Sequence, residues 1–203
     1  VIEQGGIKIN ICMSLFIVCL LMSTNAFAAN WYVDASAGGQ NNGTSWSNAW
    51  QSFSKIVWGS GGVKAGDVLY ISGGTTSQTY AETMTVGASG SSDSARITIR
   101  IGQEEGKNGT VIITGSAGIV SNSKHYITID GEVNRQRRLH VYNGVSLNGA
   151  NHFLLRYAEI EKADIGIDAR YGIGGRISNC YIHDIREEAG ITFAARNYGV
   201  ASY

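Results

Sequence analysis

Proline is absent from the 203 residues, and cysteine occurs only three times. Acidic and basic side chains balance at 16 each, so the formal net charge is zero. A neutral chain carries no electrostatic footprint for nucleic acid or for an anionic membrane surface. Two of the cysteines, Cys12 and Cys19, lie in one apolar N-terminal run. If that run is removed, Cys180 is left alone. No intrachain disulfide is then possible, and the fold must hold by its apolar core.

Long apolar runs are also scarce. The stretch from Ile11 to Met22 is of signal-peptide length and short for a membrane span. Ala26-Phe27-Ala28 follows as a small-x-small cleavage pattern, so a mature chain starting at Ala29 or Asn30 is expected. Lys8 is the only cation ahead of the run, and Glu3 opposes it. The chain opens with Val, so an unusual or misplaced start is expected. These features predict a signal peptide over 1–29, export to the periplasm, cell surface or medium, and no membrane span in the mature chain.

Helix-length periodic segments are missing from the second half of the chain, which excludes leucine-rich repeats and βαβ units. A short unit recurs there instead. Gly118-Ile119-Val120-Ser121, Gly144-Val145-Ser146-Leu147, Gly166-Ile167-Asp168-Ala169 and Gly190-Ile191-Thr192-Phe193 share the order Gly, branched apolar, variable, small or apolar. A second element keeps the phase: Leu155-Arg-Tyr-Ala-Glu-Ile160, Ile177-Ser-Asn-Cys-Tyr-Ile182 and a weaker copy at Ile129. A period in the low twenties with Gly and Asn between β-branched runs predicts a solenoid. With one unit per coil and about 4.8 Å between strands, Ile119, Val145, Ile167 and Ile191 form one inward column. Leu155 and Ile177 form another, and Ile160 stacks over Ile182. One coil cannot bury such a face, but its neighbours do.

Earlier in the chain, Trp31–Asp34, Val68–Ile71, Arg96–Ile101, Thr110–Ile113 and Tyr126–Gly131 read as strands. Between the first two, Trp50, Phe53 and Ile56/Val57 recur at three to four residues behind Ser45 or Ser47. This spacing predicts a short N-terminal helix that caps the open end of the core. A sugar platform of Trp46, Trp50 and Trp58 is the alternative use of those aromatics. Asn134-Arg-Gln-Arg-Arg138 reads as an inserted basic loop, either solvated or gripping an anionic polymer.

The outward positions are polar. Asp168, Arg170 and Asp164 fall on one edge, and Lys162, Tyr181, His183 and Asp184 on the next. The pairs Lys162/Asp184 and Glu161/His183 are in phase, as inter-coil ion pairs or as parts of a carbohydrate site would be.

Trp31-Tyr-Val-Asp34, Asn42-Gly-Thr-Ser-Trp-Ser-Asn-Ala-Trp50, Ala65-Gly-Asp-Val-Leu-Tyr-Ile71, Ile97-Thr-Ile-Arg100 and Tyr126-Ile-Thr-Ile-Asp-Gly131 together resemble the opening of secreted right-handed parallel β-helix proteins. These belong to the pectate-lyase-like superfamily and include polysaccharide lyases of the chondroitinase B and alginate lyase type. The resemblance implies an all-β solenoid over 30–203 that acts on or binds acidic polysaccharide. For the lyases it implies a Lys or Arg base and acid, often with Ca²⁺ neutralising the substrate carboxylate. No stretch matches a catalytic motif. The chain stops at Gly199–Tyr203 in mid-coil, so a fragment truncated at its C-terminus is expected. The rival expectation is a non-catalytic surface or adhesion solenoid that binds carbohydrate.

Overall fold

In the computed structural model, residues 28–186 and 189–193 are described. The apolar run at 11–22 lies outside them. The described chain is all-β apart from one 3-10 turn, and no described helix is long and apolar enough to cross a membrane.

Strand β1 (Asn30–Val33) opens the chain. The chain then visits three sheets in rotation. The first round is β2 (Val68–Ile71), β3 (Ser77–Tyr80) and β4 (Met84–Thr85), and the second is β5 (Ile97–Ile101), β6 (Thr110–Ile113) and β7 (Ile119–Val120). The third round starts with β8 (Ile127–Asp130) and inserts a hairpin, β9 (Glu132–Val133) and β10 (Gln136–Arg137). It then continues with β11 (Leu139–Tyr142) and β12 (Val145–Ser146). The last two rounds are β13 (Leu154–Arg156), β14 (Ala158–Glu161) and β15 (Ile165–Asp168), then β16 (Arg176–Ser178), β17 (Tyr181–His183) and β18 (Ala189–Thr192).

The first sheet runs β1-β2-β5-β8-β13-β16, the second β3-β6-β11-β14-β17 and the third β4-β7-β12-β15-β18. Every pairing within these sheets is parallel.

Register places one largely apolar column inside each sheet. Leu69, Ile99, Ile129, Leu155 and Ile177 stack in the first. Tyr80, Ile113, Val141, Ile160 and Ile182 stack in the second. Met84, Ile119, Val145, Ile167 and Ile191 stack in the third. The columns are buried through the fourth round, and exposure rises in the last. Each buried Ile or Leu contributes roughly 1.5–3 kcal/mol, and every round supplies one wall of its neighbour's core.

The bends between sheets share one backbone conformation. Asn143, Lys162 and Asp184 turn the chain from the second sheet to the third with φ of 65°, 55° and 52°. Tyr157 and Asn179 turn it from the first to the second, both at 54°. Asn tolerates this left-handed region because its short amide bonds locally. Tyr157 and Lys162 adopt it because stacking on the neighbouring rounds imposes it.

The expected N-terminal capping helix does not form. Trp50 makes a parallel bridge with Val33: its N–H donates to Tyr32 O, and its carbonyl accepts from Asp34 N. The backbone is therefore committed to β1. Ser52 is extended, and only the 3-10 turn Phe53–Lys55 follows. Glu82 holds that turn by accepting from the backbone N–H groups of Phe53 and Ser54. The three-to-four spacing had a real cause, since Trp50, Phe53 and Ile56 are all buried, but Val57 is 47% exposed. Trp50 stacks on Trp31 at 5.3 Å. Its burial rules out the three-tryptophan sugar platform.

The basic loop is the β9–β10 hairpin, closed by Asn134 and Arg135 at φ of 50° and 63°. Two consecutive positive φ values make a type I′ turn, whose twist suits a two-residue hairpin.

Two substitutions test this arrangement. Ile167→Asp places an unpaired charge in the third column and should abolish cooperative folding, since domain stability is only about 5–15 kcal/mol. A soluble, cooperatively melting variant would contradict the inward assignment. Arg135→Gly relieves the left-handed strain and should stabilise by roughly 0.5–1 kcal/mol. A lower melting temperature would contradict the turn type.

Candidate functional site

Parallel register also builds ladders on the outer faces. On the second sheet, Thr79, Ile112, His140, Glu159 and Tyr181 form one outward row. Tyr142, Glu161 and His183 form the next. Neighbouring residues within a row stand about 4.8 Å apart, so imidazoles, carboxylates and phenols from three rounds meet on one strip.

Glu161 is the centre of that strip. It is only 7% exposed. His140 Nε2 lies 2.8 Å from its Oε1 and Lys162 Nζ 3.6 Å from its Oε2. The His140 nitrogen is buried and makes no aligned hydrogen bond, so this contact is an ion contact when the ring is protonated. Burial pushes the Glu161 carboxyl up. The Tyr142 hydrogen bond, Lys162 and His140 more than offset this and hold it below the ordinary carboxylate value. The same Glu161 hydrogen bond raises the Tyr142 phenol.

His183 is engaged on both ring nitrogens. Nδ1 lies 3.0 Å from Asp184 Oδ2 and Nε2 3.2 Å from Glu159 Oε1. The Asp184 contact, against the opposing effect of desolvation and with help from Glu159, raises His183 above its ordinary 6.5. Its ring stacks on Tyr181 at 4.5 Å, as that of His140 does on Tyr142 at 5.0 Å. Tyr181 is half exposed, and the Arg137 guanidinium lies 5.5 Å from its ring centre.

Lys162 links this strip to a groove of about 310 Å³ at the bend between the second and third sheets. Lys162, Asp164, Asp168 and Arg186 line it, with Asn143 and Ser146. Arg186 donates to the Lys162 carbonyl across the bend. Asp168 is held by the Arg170 fork, Nε to Oδ1 at 2.9 Å and Nη2 to Oδ2 at 2.8 Å. Those hydrogen bonds keep its carboxyl below the ordinary value.

The structure thus brings Lys162, Asp164 and Asp168 to the groove, and Tyr181, His183 and Asp184 to the adjoining strip. Arg170 stands behind Asp168. Glu161 and His183 do face each other in register, but neither in-phase pair closes as an ion pair among the described residues. Among the described residues, Lys162 pairs with Glu161 and Asp184 with His183, because both bends turn each side chain back onto its own strand. His140, Tyr142 and Arg186 escaped the sequence reading. The hairpin shifts β11 out of phase, so its alternation of Leu139 and Val141 inward with His140 and Tyr142 outward was the only signal.

Glu161, His183 and Asp184 each offer a ligand atom, all within 4.8 Å of one another. Calcium takes six to eight oxygen ligands. An imidazole in the set and an ammonium 3.6 Å from Glu161 do not fit it. No family model, curated protein or solved structure matches the chain.

The His183 contacts carry a pH dependence. A raised folded-state value means that their stabilisation is complete below pH 6.5 and is lost as the pH rises through the raised value. An NMR titration of His183 should give a midpoint above 6.5, and Asp184→Asn should bring it down. An unchanged midpoint in the variant would contradict the pairing.

Proposed function

We propose that the chain is part of a secreted right-handed parallel β-helix protein that binds acidic polysaccharide and, in its full-length form, cleaves it as a polysaccharide lyase. The observation that carries this reading is the continuity of the stacked His–Tyr–Glu strip with the Lys162–Arg186 groove. A polymer lying across the strands meets the next side chain of a row at each interstrand step, on the scale of one sugar ring. Tyr181 presents a half-exposed ring for a sugar face. Lys162 and Arg186 offer charge to uronate carboxylates.

β-Elimination removes the proton next to the uronate carboxylate and expels the glycosidic oxygen at the neighbouring carbon. It needs a base, a partner for the carboxylate's charge and a proton donor for the leaving oxygen. On this face the imidazoles and phenols suit the base and donor roles, and Lys162 and Arg186 suit the charge role. A second reading is favoured by one specific fact: both ring nitrogens of His183 are already engaged. On that reading the same face binds glycan without cleaving it, as in a surface or adhesion solenoid.

Calorimetric titration with alginate, polygalacturonate and chondroitin oligosaccharides tests both. Binding should weaken with added salt, and Lys162→Ala with Arg186→Ala should weaken it about tenfold, the loss of roughly 1.4 kcal/mol. Ultraviolet absorbance from an unsaturated uronate product supports the lyase reading. Binding without that product selects the adhesion reading, and no binding to any acidic glycan overturns both.

A further inference from the structure

Four acidic side chains are buried among the described residues: Asp34, Asp67, Asp130 and Glu161. Three of them carry a cation. Asp34 has Lys107, Asp130 has Arg156, and Glu161 has Lys162 and His140. Asp67 pairs with no cationic side chain among the described residues, although it is only 1% exposed. Its Oδ1 accepts from the backbone nitrogen of Ala29 at 2.8 Å. Its Oδ2 accepts from Trp31 Nε1 and from the backbone nitrogen of Lys64, each at 3.0 Å. In the uncut chain all three donors are neutral. A buried carboxylate without a countercharge is costly, and the other three acids show how this fold meets that cost elsewhere.

We infer that Asp67 is the receptor for an α-ammonium group created by cleavage between Ala28 and Ala29. This rests on the export reading above and is independent of the glycan. The Ala26-Phe27-Ala28 pattern places a leader-peptidase cut at that bond, and Ala28 is exposed. Ala29 is held in place on the far side of the bond, where its carbonyl accepts from Val68 N at 2.9 Å. Cleavage is a hydrolysis. Water adds across the Ala28–Ala29 amide, the hydroxyl going to the Ala28 carbonyl carbon, which leaves as a carboxylate on the leader. The Ala29 nitrogen gains a proton from water and, near neutral pH, a second from solvent. The resulting –NH₃⁺ stands against Asp67 Oδ1 and supplies the missing countercharge. It ties the start of β1 to the turn that leads into β2, the first pairing of the first sheet. Processing therefore stabilises the fold as well as releasing it.

The full chain, produced in a secreting host, gives the test. N-terminal sequencing of the exported protein should find Ala29 first. The exported protein is then melted before and after selective acetylation of its α-amine, which restores a neutral amide at Ala29. Acetylation should lower Tm by roughly 3–6 °C, and Asp67→Asn should remove the difference. A first residue other than Ala29, equal melting of the free and acetylated forms, or a difference that persists in D67N would overturn the inference. A further measurement needs no variant. The α-amine of the folded protein should acetylate about tenfold more slowly than that of the chain in denaturant, and equal rates would also overturn it. A protein that is exported and cut at Ala29 but melts equally in both forms defeats the ion pair while leaving the export reading intact.

Discussion

Parallel register between successive rounds is the constraint on which the rest of this structure depends. Because each strand pairs with the equivalent strand of the next round, every position is repeated about 4.8 Å along the axis. Apolar positions become columns, such as Met84–Ile119–Val145–Ile167, and polar positions become outward rows. A one-residue slip would turn each column to solvent. The aliphatic interior therefore fixes the register, and the register in turn determines which polar groups meet outside.

Charge is managed locally within that frame. The neutral total conceals carboxylates that are buried or half-buried and answered one by one. Arg156 serves Asp130 from the adjoining strand at 2.8 Å, and Arg170 serves Asp168 from two residues along the same chain. Such pairs matter through the penalty of leaving one partner unpaired more than through their own net stabilisation. Among the described residues Asp67 is the exception, and it sits against the residue that precedes β1.

The candidate site follows from the same geometry. His140, Glu161 and His183 come from three different rounds, and no two of them lie within 20 residues in sequence. They converge because β11, β14 and β17 are neighbours in one sheet. Lys162 reaches both the strip and the groove because its left-handed backbone, φ 55°, sharpens the bend. The electrostatic character of the strip, with a lowered Glu161 and a raised His183, is a product of this convergence.

The sequence by itself determined the repeat, the inward columns and the alternation that separates core from surface, since these depend on hydrophobic period alone. It also marked Lys162, Asp168, Tyr181, His183 and Asp184 as outward or bend positions. Tertiary structure decided what period cannot express. Trp50 bridges Val33 instead of starting a helix, because a strand edge offered its backbone better hydrogen bonds than an isolated turn could. The strands β3 and β4, within a polar stretch that shows little alternation, exist because β6 and β7 lie beside them. The hairpin broke the phase, so His140 and Tyr142 emerged as partners of Glu161 only when the strands were laid side by side. Which ion pairs form was settled at the bends, where the backbone direction carries Lys162 to Glu161 and Asp184 to His183, over a few ångströms that residue spacing alone does not resolve.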